Sequence, residues 1–251
     1  LTELAPKLNE FECLVPASEF KAIIPLSEVH RKVFGIYGKL MAAEGIAPLV
    51  VWKKHRYSML KLWEKPGESC RKISLRMLHG ECRADVLNLT NASDCPMTAE
   101  IQVVGLPGGV NPPYLCIRRA DYLGTRESKV VADALPELSK SASGFAVDIP
   151  AGLTRQIWLE FSANAELSAG SYNGEIQIKL NDGIAQSVGL DLQVLGRELD
   201  RSNRCLSGTW DYADSLGYGL TEKNCPAAIQ DMQSHGVNVA MGSVKCGALP
   251  K

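Results

Sequence analysis

The stretch Thr-Trp-Asp-Tyr at 209–212 is where the sequence gathers groups able to handle a polar ligand. A carboxylate at Asp211 can accept hydrogen bonds from hydroxyls, while the rings of Trp210 and Tyr212 offer flat surfaces to stack on. Trp210, Asp211 and Tyr212 are therefore the candidate ligand contacts. The competing role for the two rings is apolar packing where two domains meet. Asp214 adds a second carboxylate three residues from Asp211. Both acids flank a loop, where solvated side chains are the ordinary arrangement.

Other chemistries find less support. The eight cysteines are never spaced as zinc-ribbon or thioredoxin motifs, and the four histidines show no metal-ligand pairing, so no metal or other cofactor is assigned. A chain this long has a core of its own, so most thiols are expected to be free. Cys116, alternating within YLCIRR, reads as a small buried hydrophobe. Trp158 in QIWLEF reads as core or inter-domain packing. The triplets Asn88-Leu-Thr90 and Asn91-Ala-Ser93 match glycosylation acceptors but are common by chance. GLPGGVN at 105–111 lacks the lysine and following helix of a phosphate loop and reads as a turn.

Composition narrows the partners. The 251 residues are 45% hydrophobic and 22% charged, an ordinary globular balance. Twenty-seven basic residues against twenty-eight acidic ones give no field to hold a nucleic-acid backbone, so that class of partner is excluded. No apolar run approaches the ~20 residues of a membrane span. The chain starts at Leu1 without a signal-peptide pattern, which reads as a cut start. An extracellular or periplasmic destination is expected if a signal peptide was removed.

The elements that must position these residues fall into three stretches. Residues 1–66 form an N-terminal helical or irregular segment. Within it PLSEVHRKVFGIYGKLMAAEGI (25–46) carries Leu26, Val29, Val33, Ile36, Leu40 and Met41 at helical steps, with Ser27 as N-cap and Gly45 as the stop. Gly35 and Gly38 count against it, each costing about 1 kcal/mol relative to alanine. APLVVW then reads as a short strand.

From Cys70 to Arg197 the apolar period becomes two, in about eight short segments separated by turns. That pattern predicts an antiparallel β-sandwich. Asn181-Asp-Gly183 predicts the turn of a hairpin in which Ile176, Ile178 and Leu180 face Val188, Leu190, Leu192 and Val194. Residues 204–251 change character again: a strand through Trp210, a helix over 220–236 with Pro226 in its first turn, and the strand VNVAMGS at 237–243. One βαβ unit cannot cover its own faces. The fold expected is thus mainly β: a sandwich with an N-terminal helical segment and a C-terminal βαβ fragment of a (β/α)8 barrel. The uncovered apolar face of that fragment, with Ile229, Met232, Val237 and Val239, is expected to dock, fray or self-associate.

In order, LNLTNASDCP (87–96), IPAGLTRQIWLEF (149–161), LSAGSYNGEIQIKL (167–180) and AAIQDMQSHGVNV (227–239) resemble bacterial proteins related to glycoside hydrolase family 123. The resemblance implies a β-sandwich preceding a catalytic (β/α)8 barrel. It also implies a carbohydrate partner, such as N-acetylhexosaminides cleaved with the substrate's own acetamido group as nucleophile. An adjacent Asp–Glu pair would orient that group and supply the acid/base. No Asp-Glu dipeptide occurs in this sequence, so no catalytic residue is carried over and the chain alone is expected to be inactive. The alternatives are a stand-alone carbohydrate- or protein-binding sandwich module and a structural or adhesion domain. A binding module should expose an aromatic row on one sheet; an adhesion array should repeat, and no internal repeat is present.

Overall fold

The computed structural model describes residues 23–124, 129–141, 144–163, 167–180, 185–199, 206–212 and 220–241, with backbone alone at 185, 209–212 and 240–241. Their contacts divide the chain into one unit over 1–199 and another over 200–251.

In the first unit, two five-stranded sheets face each other across one apolar core. The first has the order β1-β3-β8-β5-β6, from β1 (Leu49–Trp52), β3 (Cys82–Asn91), β8 (Thr154–Ser162), β5 (Leu115–Gly124) and β6 (Val130–Ala134). The second has the order β2-β10-β9-β4-β7, from β2 (Lys72–His79), β10 (Ala185–Glu198), β9 (Gly170–Leu180), β4 (Met97–Val104) and β7 (Phe145–Ile149). Strict alternation drives this arrangement. Ile73, Leu75 and Met77 are buried while Lys72, Ser74 and Arg76 are exposed. Each such buried aliphatic side chain contributes about 1.5–3 kcal/mol, and a single sheet could not bury them all.

The break at Gly80 and Glu81 is where the chain crosses from one sheet to the other. Gly80 donates to the carbonyl of Ala163 and Glu81 accepts from the backbone of Ala163 at 2.9 Å, tying the corner down. β9 and β10 form the predicted hairpin, with Ile176 opposite Val188. Its Asn181–Gly183 turn lies outside the described residues. The sheets differ from the fully antiparallel expectation at one place. β2 runs parallel to β10, with Ile73 beside Leu190 and Leu75 beside Leu192. Alternation shows which faces are apolar and is silent about strand direction.

Two side chains lie on the outer face of the first sheet rather than in its core. Trp158 shares its side of β8 with Gln156 and Glu160, opposite the core-facing Ile157, Leu159 and Phe161. It is half-buried on the sheet's outer surface. Cys116 is also half-buried there, in register with Glu160, rather than in the core.

Helix α1 (Glu28–Ala43) starts at Ser27, whose hydroxyl accepts from the backbone N–H of His30. The helix buries Phe34, Gly35, Gly38 and Met41, leaving Ile36 and Leu40 exposed. The stripe expected from the apolar spacing is thus rotated. The cause lies in the glycines. A Cβ on Gly38 would stand 1.9 Å from the carbonyl oxygen of Ser93, and one on Gly152 1.9 Å from that of Phe34. The helix sits backbone-on-backbone against the 93–94 and 152 turns, which no larger residue permits. Phe34 then joins Ile24, Trp52, Leu60, Tyr122 and Leu153 in a second apolar cluster.

The second unit contains β11 (Gly208–Tyr212), helix α2 (Cys225–Ser234) and β12 (Val239–Met241). β11 and β12 pair in parallel, making a βαβ unit. No helix among the described residues is long and apolar enough to cross a membrane.

Candidate functional site

Trp210, Asp211 and Tyr212 occupy the carboxyl-terminal part of β11. The strand is aligned at its start by the Asn238 side chain, which accepts from the backbone of Ser207 at 2.9 Å. The backbones of Asn238 and Val239 donate back to the Ser207 carbonyl at 2.9 and 3.0 Å. Parallel pairing puts the carboxyl ends of both strands on one edge. Helix α2 begins at Asn224, whose side-chain oxygen accepts from the backbone N–H of Thr221 at 2.7 Å, with Pro226 in the first turn. In parallel α/β units that carboxyl edge is where ligands bind. The side chains of Trp210, Asp211 and Tyr212, and the whole of Asp214, lie outside the described residues. On α2, Ile229 is exposed and Met232 half-buried, while Val237 and Val239 beyond it are half-buried.

In the first unit the buried polar side chains of β1, β3 and β8 bond to one another. A ladder crosses the outer face of β1, β3 and β8. The Trp52 indole donates to Thr90 Oγ1 at 2.7 Å, Thr90 and Thr154 hydroxyls lie 2.7 Å apart, and Gln156 donates to Asn88 Oδ1 at 3.1 Å. Gln156 also accepts from the Trp158 indole at 2.9 Å. Asn91 donates to the carbonyls of Cys95 at 2.8 Å and Ile149 at 3.0 Å. Asn88 and Asn91 are fully buried, so neither glycosylation triplet presents its amide to an enzyme.

Further buried charge sits at Arg155 and Asp121, which approach to 3.1 Å without good hydrogen-bond alignment. Burial holds the Arg155 guanidinium below its ordinary value, partly offset by Asp121. With only 7% and 1% of their side chains exposed, the two residues read as structural.

Cys82, Cys116, Arg118 and Glu160 form a cluster on the outer face. The Cys82 thiol lies 3.2 Å from Glu160, and Arg118 meets the same carboxylate at 3.4 Å. Burial pushes both thiols up to about 11, with Glu160 adding to the rise, so neither is a nucleophile near neutrality. Cys70, Cys82, Cys95 and Cys116 are free thiols. Among the described residues no three His, Cys, Asp or Glu side chains converge as metal ligands would.

One exposed group escaped the sequence reading. Trp63, in KLWEKPG, is half exposed on an ordered loop, with Tyr57 and Met59 exposed beside it in sequence. The only sequence signal for it is an indole among turn residues, with no alternating strand to bury it.

No protein-family model matches the sequence, and no curated protein sequence does either. Solved structures do show the fold. A family 123 glycoside hydrolase from Clostridium perfringens, described for glycolipid glycan hydrolysis, is similar with a TM-score of 0.53 at 9% identity over 76% of this chain. The chain spans 37% of that hydrolase. The PapD-like domain 7 of human CEP192 is similar at TM-score 0.32 and 10% identity, covering 52% of this chain and 84% of that domain. The periplasmic chaperone SfaE follows at 0.29 and 9%, covering 53% and 60%. At 9% identity the likeness to the hydrolase shows the fold alone and nothing of its chemistry.

Proposed function

We propose that this chain is the accessory β-sandwich region of a glycoside-hydrolase-like protein acting on carbohydrate, with N-acetylhexosaminides as the substrate class. Residues 204–251 are then the opening of a (β/α)8 barrel, and the catalytic carboxylate pair lies outside this chain. The observation supporting this is the order of parts, a two-sheet sandwich and then a parallel βαβ unit, in a chain similar in fold to a family 123 hydrolase over 76% of its length. In this reading Trp210, Asp211 and Tyr212 stand at the active-site end of the first barrel strand, where the rings would stack on a sugar and Asp211 would accept its hydroxyls. They position substrate; an acid/base able to protonate a leaving oxygen must come from later strands.

The test compares two proteins on chromogenic N-acetylhexosaminides: the 251-residue chain and the product of the whole reading frame. Turnover from the second and none from the first is the expected result. Concentration-dependent turnover by the 251-residue chain would place catalysis inside it and overturn the assignment; so would inactivity of a folded whole product on this substrate class.

A further inference from the structure

The exposed aromatic surface around Trp63 is built rather than incidental. Trp63 is 49% exposed, yet its position is fixed from beneath. The Phe34 ring lies 4.9 Å away at 36°, and the Tyr37 ring 5.2 Å away, nearly perpendicular. The Tyr37 hydroxyl donates to the Trp63 carbonyl at 3.0 Å, joining helix α1 to the loop. The two residues that follow Trp63 in sequence each form an ion pair. Lys54 grips Glu64 at 2.7 and 2.8 Å and the Met59 carbonyl at 2.9 Å, fixing the loop's course. Lys65 meets Glu44 at 2.6 and 2.8 Å, close enough for both charges to act on the Tyr37 phenol.

We propose that Trp63, Tyr37, Lys65 and Glu44 form a carbohydrate-binding platform on this unit, separate from the β11 strand end, for neutral pyranose oligosaccharides of the N-acetylhexosamine type. The proposal rests on the carbohydrate reading above and adds a site to it. A pyranose is amphipathic in the same sense as this surface: a flat C–H face and a rim of hydroxyls. The indole takes the face, Glu44 accepts from hydroxyls, and Lys65 donates to a ring or acetamide oxygen. The Lys65–Glu44 pair is neutral as a unit, so the four groups of the platform carry no net charge with which to select an ionic partner. Because the loop is already pinned, binding costs little ordering entropy. Exposed aromatics on a rigid support are the usual anchors of recognition surfaces.

Calorimetric titration of the 251-residue chain with tri-N-acetylchitotriose and with an N-acetylgalactosamine-terminated trisaccharide tests this. Saturable binding of at least one is expected. Trp63→Ala should weaken it by roughly tenfold or more, and Trp63→Phe by less. Because Trp63 also packs on Phe34, a second variant, Glu44→Met with Lys65→Met, removes the hydroxyl partners without touching the rings and should weaken binding several-fold at an unchanged melting transition. No binding by the native chain, or binding indifferent to Trp63→Phe and to the Glu44/Lys65 variant, overturns the platform. Binding lost in Asp211→Ala alone moves the site to β11 and overturns it equally. Its failure is distinguishable from failure of the hydrolase reading, because glycan binding through Trp63 without turnover by the whole product sinks only the latter, and turnover without such binding sinks only the platform.

Discussion

Glu64 sits where a small change in proton concentration should be felt by the whole 53–66 loop. Burial alone would raise its carboxyl, but Lys54 and the Lys61 backbone N–H outweigh that and hold it below its ordinary value of 4.5. A carboxylate lowered on folding contributes stability that is fully present above its unfolded value and is lost as pH falls through the folded one. The loop around Trp63 should therefore loosen only once pH has fallen below the ordinary carboxylate value of 4.5. Amide exchange in 54–64 followed at descending pH should show this step, after correction for intrinsic rates, and Glu64→Gln should remove it by leaving the loop loose at neutral pH. Asn91 carries a different expectation. Its buried amide donates to the carbonyls of Cys95 and Ile149, so Asn91→Ala should destabilise the sandwich by about 1–3 kcal/mol in urea unfolding. For the same reason the intact mass from a glycosylating host should show no glycan at Asn88 or Asn91. A glycan on either would mean β3 is not buried as described.

Among elements, α1 shows best what the sequence can and cannot express. Its extent and its Ser27 cap are legible from spacing and residue type, but its orientation is not. Counting apolar residues points Ile36 and Leu40 inward, whereas the seat is made by Gly35 and Gly38, the two residues that argue against a helix. Helix-forming tendency is a local property; a backbone-to-backbone seat depends on the turn at Ser93, far along the chain. Gly38→Ala should cost about 1–3 kcal/mol, because the helix must lift off Ser93. Gly35→Ala should cost clearly less, since its Cβ would stand 3.2 Å from the Asp94 carbonyl oxygen, a contact that a small shift relieves, and alanine favours the helix. Equal effects of the two in thermal melts would show that the seat is elsewhere. The strands tell a similar story. Period two identifies β2, β3, β4, β9 and β10 and their buried faces, but sheet membership and the parallel course of β2 depend on partners that alternation does not name.

At the scale of the whole molecule, the strand–helix–strand grammar of the second unit was legible, because Pro226 and Gly236 bracket α2 and the flanking apolar runs are short. The chemistry of Trp210, Asp211 and Tyr212 was legible only as residue types, since a ring that stacks on a ligand and a ring that packs a junction look alike in sequence. Trp63 was overlooked for the opposite reason: nothing periodic surrounds it. The two units should differ in stability. A lone βαβ unit leaves side chains such as Ile229 uncovered, whereas β9 and β10 sit inside a sheet. Amides of 237–241 should exchange far faster than those of 174–180 and 185–194, and removing 205–251 should leave the sandwich's melting transition nearly unchanged. Equal protection of both segments, or global unfolding on deletion, would show that the sandwich does not stand alone. The parallel pairing of β2 with β10 has a kinetic consequence as well. Ile73 is made early and must wait for Leu190 before its strand has a neighbour in that sheet. A chain emerging from the ribosome therefore carries β2 as a naked edge through most of its synthesis, able to pair with any extended segment that passes. Folding of this unit is expected to be slow and to finish only after β10 has cleared the exit tunnel, and the yield of soluble protein should depend on how well that interval is protected.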